Sequence, residues 1–271
     1  MPEQDQMTFL EHLEELRWRI IKAVAAILIF ATAAFIFKGF VFDRIILAPK
    51  DASFLTYRAF CWVSMRLGLD DTFCLSQSFK LQNIDMSGQF SSHILVSFIA
   101  GLVVAFPYVF YQFWAFVMPG LKENEKQTAR GTVFFTSLLF LLGVLFGYFL
   151  IAPLSVQFLG NYRVSDQVEN IITLNSFIST VATTTLAGGL VFQLPIVVYA
   201  LAKLGIVTPE LLKAYRKHAI VGVLILSAVV TPPDITSQVL VTLPLIVLYE
   251  ISIRIARRVV KKSRKEALAQ K

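Results

Sequence analysis

The 271-residue chain is too apolar for a soluble protein, because 56% of its residues are hydrophobic and only 16% are charged. Soluble domains carry about 25% charged residues and about 45–50% apolar residues. The apolar excess excludes an intrinsically disordered chain, and a count of two cysteines excludes a disulfide-dense secreted module. The composition therefore predicts an all-α polytopic membrane protein.

Six apolar stretches predict six transmembrane helices. The first four reach the length of about 20 residues that a helix needs to cross the hydrocarbon core. The last two are expected to form a short hairpin, which begins at Thr208-Pro209-Glu210 and is broken at Thr231-Pro232-Pro233-Asp234. The predicted spans are 20–37, 91–113, 132–152, 178–202, 209–230 and 235–253.

A cleavable signal peptide is the alternative interpretation of the first span, with Ala31-Thr32-Ala33 as its cleavage site. A retained span is favoured because the apolar run continues to Phe37 and an acidic stretch precedes it.

The positions of lysine and arginine predict that both termini are cytoplasmic. Four segments that would share one side of the membrane hold 18 of the 25 basic residues. These segments are the N-terminal 1–19 with the start of span one, the connections after spans two and four, and the basic tail 254–271. The tail is expected to face anionic lipid rather than nucleic acid.

The loop 38–90 is predicted to lie outside the cell and contains both cysteines, Cys61 and Cys74. The compartment outside a bacterial cell membrane is oxidising, so these two residues are candidates for a disulfide. Two unpaired small residues remain the alternative.

The N-terminal segment 1–19 is predicted to be an amphipathic helix at the cytoplasmic surface that leads into span one. Its apolar stripe consists of Phe9, Leu13, Leu16 and Ile20. Its acidic residues, Glu11, Glu14 and Glu15, have two interpretations. They either form a solvated face with i,i+4 pairs or dock a positively charged ligand.

The second acidic group follows span two on the same side of the membrane. Pro119-Gly120 is expected to end the span, and Glu125 lies just beyond it. Glu15 and Glu125 could therefore face a common pocket.

The sequence contains no signal for enzymatic chemistry. Its histidines, His12, His93 and His218, do not have the spacing of metal ligands, and no hydrolase or nucleotide-binding motif is present. We therefore predict no catalytic residue, no metal and no cofactor.

Four sequence blocks, in this order and spacing, characterise the chain. The first is His12-Leu13-Glu14-Glu15-Leu16-Arg17, before span one. The other three are Phe106-Pro107 through Tyr111–Phe116 with Pro119 and Glu125, then Phe192-Gln193-Leu194-Pro195, and finally Thr231–Asp234 with Ser237-Gln238. With these blocks the chain resembles the TatC family, the multispanning subunit of the twin-arginine protein translocase.

The resemblance implies a receptor in the bacterial plasma membrane for folded proteins whose signal peptides carry two adjacent arginines. Carried over by position, Glu15 and Glu125 would bind the arginine pair, Arg17 would position Glu15, and Phe116 would shape the pocket. Family members work in multimeric complexes with single-span TatA-type and TatB-type partners, without a cofactor, and are driven by the proton-motive force.

The same resemblance assigns contacts with partner helices to Gln193, Pro195, Asp234 and Gln238. Many family members carry an acid in span four where this chain has Gln193. A neutral glutamine can still hydrogen-bond a partner helix but does not titrate. Capping of the sixth helix is an additional interpretation of Asp234.

Two other classes of function were considered. A secondary transporter of a small solute would show two related halves and broken helices that converge on a midplane site. An intramembrane hydrolase would need a serine–histidine pair or paired aspartates within the bilayer. The sequence shows neither pattern, so the receptor interpretation is favoured.

Overall fold

The computed structural model describes residues 9–67, 80–117, 129–168, 170–203, 205–231 and 235–269. Within these ranges the chain is helical, and the β structure is limited to an isolated bridge between Gln82 and Thr173. The α-helices are α1 (Phe9–Ile36), α2 (Leu55–Leu67), α3 (Gly88–Val117), α4 (Ala129–Phe146), α5 (Ala152–Asn161), α6 (Leu174–Val191), α7 (Leu194–Lys203), α8 (Pro209–Ala214), α9 (Arg216–Val230) and α10 (Ile235–Ala269). Three further helical segments accompany them. Two are π-helices, at Phe40–Ile46 and Gly147–Ile151, and the third is a 3-10 helix at Ala48–Lys50.

Five helical segments of the described chain are long and apolar enough to cross a membrane. They are Glu11–Ile36, Gly88–Phe116, Gly131–Asn161, Leu174–Lys203 and Gln238–Lys261. The predicted fifth span is not among them, because α9 has 15 residues and is about 22 Å long. The multi-pass helical fold is thus confirmed, whereas a sixth crossing stays a prediction.

The predicted surface segment 1–19 and the predicted first span 20–37 share one continuous helix, and the point where this helix enters the membrane stays a prediction. α1 runs from Phe9 to Ile36 as one helix of 28 residues. It contains neither glycine nor proline, so no residue interrupts its backbone hydrogen bonds. At the other end of the chain, α10 continues through most of the predicted basic tail to Ala269.

Two predicted spans are interrupted. α6 and α7 are separated at Phe192-Gln193, where Pro195 has no N–H for the carbonyl of Val191. α8 and α9 are separated at Tyr215. The hydroxyl of Tyr249 donates to the carbonyl of Leu212 over 2.7 Å, and a continuous helix would pair that carbonyl with the amide of Arg216.

The start of α8 agrees with the sequence. Thr208 is the N-cap, its hydroxyl accepts from the amide of Leu211 over 3.2 Å, and Pro209 occupies the first turn. α9 ends before the predicted break at Thr231. Asp234, the predicted N-cap of the last helix, lies outside the described residues.

The chain divides into two compact units. The first combines Met1–Val41 with Phe90–Leu138. Within it, α1 and α3 approach closely at Gly101, where an added Cβ would lie 2.5 Å from the backbone nitrogen of Ala31. The ring of Phe35 stacks on His93 near the opposite end of α1 from Glu15.

The second unit combines Phe42–Gln89 with Leu139–Lys271. α4 and α6 meet there through Gly143 and Gly188, where the absence of a side chain lets the two backbones approach closely. An apolar cluster of Ile151, Val223, Val241 and Leu245 joins the π-helix after α4 to α9 and α10.

Polar contacts fix α2 to the 3-10 helix Ala48–Lys50 and to α5. The hydroxyl of Tyr57 donates to the carbonyls of Pro49 and Pro153 over 2.9 and 3.3 Å. Burial raises the pKa of Tyr57 above its ordinary range, so the phenol remains a protonated donor at physiological pH.

Candidate functional site

The centre of the candidate site is the carboxylate of Glu15, at the N-terminal end of α1. The Nε of Arg19 donates to Glu15 Oε1 over 2.9 Å, and Arg19 Nη2 donates to the same oxygen. Both side chains are about three-quarters buried, with exposed fractions of 23% for Glu15 and 24% for Arg19. Oε2 of Glu15 is buried and has no hydrogen-bond partner among the described residues.

An aromatic contact brings the end of α3 to the same region. The rings of His12 and Phe116 stack with centroids 4.3 Å apart and planes inclined by 21°. His12, Glu15 and Arg19 recur at helical spacing and share one face of α1. The stack therefore places Phe116 one helical turn from Glu15.

The structure does not place every residue predicted for signal binding. Glu125 lies outside the described residues, so its position beside Glu15 stays a prediction. Arg17 is exposed, and Arg19 rather than Arg17 holds the carboxylate of Glu15. The i,i+4 spacing of Glu15 and Arg19 could have identified this pair from the sequence.

The residues predicted to contact partner helices lie in the second unit. Gln193 is at the break between α6 and α7, and Pro195 is fully buried in the first turn of α7. The side-chain amide of Gln238 donates to the carbonyl of Leu224 over 3.3 Å, and so it links α10 to α9. Asp234 lies outside the described residues.

Two contacts in the hairpin of α9 and α10 were not predicted. The hydroxyls of Ser227 and Thr242 hydrogen-bond each other over 2.8 Å in a buried position. At the other end of the hairpin, the guanidinium of Arg216 pairs with both oxygens of Glu250 at 2.9 and 3.0 Å. Neither pair could be found from spacing along the sequence, because the partners lie on different helices.

Cys61 is disulfide-bonded in the structure. Cys74, its predicted partner, lies outside the described residues, so the bridge between the two stays a prediction. Among the described residues, no group of three or more His, Cys, Asp or Glu side chains could hold a metal ion.

Comparison with known proteins places this arrangement in a family. Residues 11–244 match the family described as Sec-independent protein translocase protein (TatC). The chain is 37% identical over 262 residues to the Sec-independent protein translocase protein TatC of Blattabacterium sp. subsp. Periplaneta americana (strain BPLAN), covering 96% of this chain and 98% of that protein. It is 33% identical over 270 residues to TatCy of Bacillus subtilis (strain 168), covering 98% and 95% of the two chains.

Two solved structures share the fold. A crystal structure titled as the twin arginine translocase receptor TatC has a TM-score of 0.68 and 33% sequence identity, over 92% of this chain and 99% of that one. A second, in DDM, has a TM-score of 0.70 and 34% identity, over 91% and 99% of the two chains. The chain therefore belongs to the TatC family of Sec-independent protein translocase proteins.

Proposed function

We propose that this protein is the receptor subunit of a twin-arginine translocase, and that Glu15 and Glu125 bind the two arginines of the signal peptide. The observation that carries the proposal is the contact between Glu15 and a guanidinium group, that of Arg19, at the N-terminal end of α1. Glu15 thus lies in an environment where a carboxylate and an arginine side chain form an ion pair. The similar crystal structures are titled as twin arginine translocase receptors.

The chemistry of arginine explains why a carboxylate pair would select it over lysine. A guanidinium is planar, permanently charged and presents paired N–H donors that match the two oxygens of a carboxylate. A lysine ammonium is a compact and strongly hydrated charge. Hydrogen bonds to a carboxylate therefore compensate less well for its lost hydration than they do for a guanidinium. Two acids can therefore discriminate between Arg-Arg and Lys-Lys at equal net charge.

The proposal includes an orientation in the bacterial inner membrane with six crossings and both termini in the cytoplasm. The distribution of lysine and arginine supports this orientation. A disulfide at Cys61 agrees with an oxidising compartment around loop 38–90. With both termini inside, Glu15 faces the side from which a folded precursor arrives.

We assign the protein binding and assembly roles, and no catalytic role. Single-span partners of TatA and TatB type would dock along the broken fourth span, which carries Gln193 at the break between α6 and α7 and the exposed Ser179 and Thr183 nearer the N-terminal end of α6. Because Gln193 is neutral, this contact would not depend on the protonation of that side chain. Transport would draw on the proton-motive force.

The test is equilibrium binding of two fluorescent signal peptides that differ only in Arg-Arg against Lys-Lys. We expect the purified receptor in nanodiscs to bind the Arg-Arg peptide at least about tenfold more tightly, because hydrogen bonds to charged groups contribute about 1.5–3 kcal/mol. Glu15→Gln and Glu125→Gln should each remove most of that preference.

Glu14→Gln is the matched control, since it removes the same charge from an exposed neighbour in the same motif. It should retain the preference. Equal affinity of the unmodified receptor for the two peptides would refute the proposal.

A further inference from the structure

In the described structure, neither oxygen of the Glu15 carboxylate is free to accept a hydrogen bond from a ligand without a side-chain movement. Its Oε1 accepts two N–H groups from Arg19, and its Oε2 is buried. An incoming arginine therefore meets a carboxylate whose accessible charge is already neutralised by a residue of the same chemical type.

We infer that Arg19 is an internal competitor of the signal-peptide arginine and sets the affinity of the receptor. This inference rests on the function proposed above. Arg19 is attached to the same helix four residues away, so its effective concentration at Glu15 is high whatever the concentration of ligand. An affinity lowered in this way suits a receptor that must release its cargo.

The geometry also explains how a ligand arginine can displace Arg19 from Glu15. Arg19 contacts only Oε1 of Glu15 and leaves Oε2 without a partner among the described residues. A buried acceptor that has lost its water and gained no donor is unfavourable. A ligand guanidinium that engages both oxygens with its planar fork supplies the hydrogen bond that Arg19 does not.

The exchange does not require α1 to unfold. α1 is continuous through Glu15 and Arg19, and the stack of His12 on Phe116 holds its first turns against α3. Rotation of the Arg19 side chain is therefore sufficient to release Oε1. Only the fraction of receptors with Arg19 displaced binds ligand, so the apparent dissociation constant is the intrinsic one divided by that fraction.

Binding kinetics of the Arg-Arg peptide test this inference. Arg19→Gln should tighten binding by about three- to fivefold, which is the upper part of the range measured for ion pairs at a protein surface. The gain should appear in the association rate, because the open fraction limits association and the bound state does not contain the contact. Arg19→Lys, which keeps the charge but not the fork, should give a smaller gain.

Lys22→Gln removes an equal charge from an exposed position one turn further along α1 and should leave the affinity within about twofold. The double variant Glu15→Gln/Arg19→Gln should bind the Arg-Arg peptide no more tightly than Glu15→Gln alone, since Arg19 competes only for Glu15. Melting temperatures of the variants in detergent report whether each one folds.

Unchanged or weaker binding by a folded Arg19→Gln variant would overturn the inference, because Arg19 would then orient Glu15 rather than compete for it. Failure of the proposed function is a different result. In that case the unmodified receptor would not distinguish Arg-Arg from Lys-Lys, whatever Arg19→Gln does.

Discussion

Single residues decide how closely the helices of this protein approach one another. Gly143 and Gly188 face each other across α4 and α6, and an added Cβ on Gly188 would lie 2.5 Å from the carbonyl oxygen of Gly143. The obstacle is backbone rather than a flexible side chain, so the helices must separate to accommodate it. In the part of the chain that the structure describes, no atom beyond its own helix backbone and chain neighbours lies within 4 Å of a Cβ added at Gly222 in α9.

We predict that Gly188→Ala lowers the stability of the protein by about 1–3 kcal/mol, the usual range for overpacking a close contact. A thermal melt in detergent is the measurement, with Gly222→Ala as the matched control that should leave the melting temperature unchanged or raise it. A melting temperature of Gly188→Ala equal to that of the unmodified protein would show that the two helices can separate without cost.

Some residues of the candidate site can be found from the sequence, whereas others are found only from the structure. Glu15 is identified by its motif, and Arg19, which the motif does not contain, could be found from its i,i+4 spacing to Glu15. The stack of His12 on Phe116 joins positions about a hundred residues apart, so only the packing of α1 on α3 reveals it. Glu125 is proposed from sequence alone, because it lies outside the described residues.

At the scale of secondary structure, local signals predict the ends of helices better than their interruptions. The N-cap Thr208 and the following Pro209 mark the start of α8 in the sequence and in the structure. The break at Tyr215 is accompanied by a contact from another helix, the hydroxyl of Tyr249 on the carbonyl of Leu212. The sequence around Tyr215 contains no glycine or proline that would predict it.

The hairpin of α9 and α10 is held at one end by the ion pair of Arg216 and Glu250. We predict that Arg216→Glu or Glu250→Arg alone lowers stability by about 0.5–1 kcal/mol or more, and that the double exchange restores most of the loss. The melting temperature of the three variants measures this effect. If each single variant melts like the unmodified protein, the pair does not contribute to the hairpin.

For the whole molecule, composition alone indicates a helical membrane protein, and four short blocks of sequence indicate the TatC family. The number of crossings is harder to derive, because α9 is shorter than the hydrocarbon core is thick. A short helix crosses only where the bilayer thins or where neighbouring helices cover it. The length of α9 alone does not show whether it crosses the bilayer in one of these ways or does not cross it.

We propose that the region around Glu15 and Phe116 receives the twin-arginine segment of a signal peptide. Site-specific photo-crosslinking in membranes tests it most directly, with p-benzoylphenylalanine in place of Phe116. Phe98 is the control position, since it lies on the same helix, is about half exposed and is separated from Phe116 by about 27 Å along the helix axis.

We expect a crosslink from position 116 to a precursor with Arg-Arg, none from position 98, and loss of the crosslink in Glu15→Gln or with a Lys-Lys precursor. Equal crosslinking of the Arg-Arg and Lys-Lys precursors at position 116, or a crosslink that persists in Glu15→Gln, would contradict it.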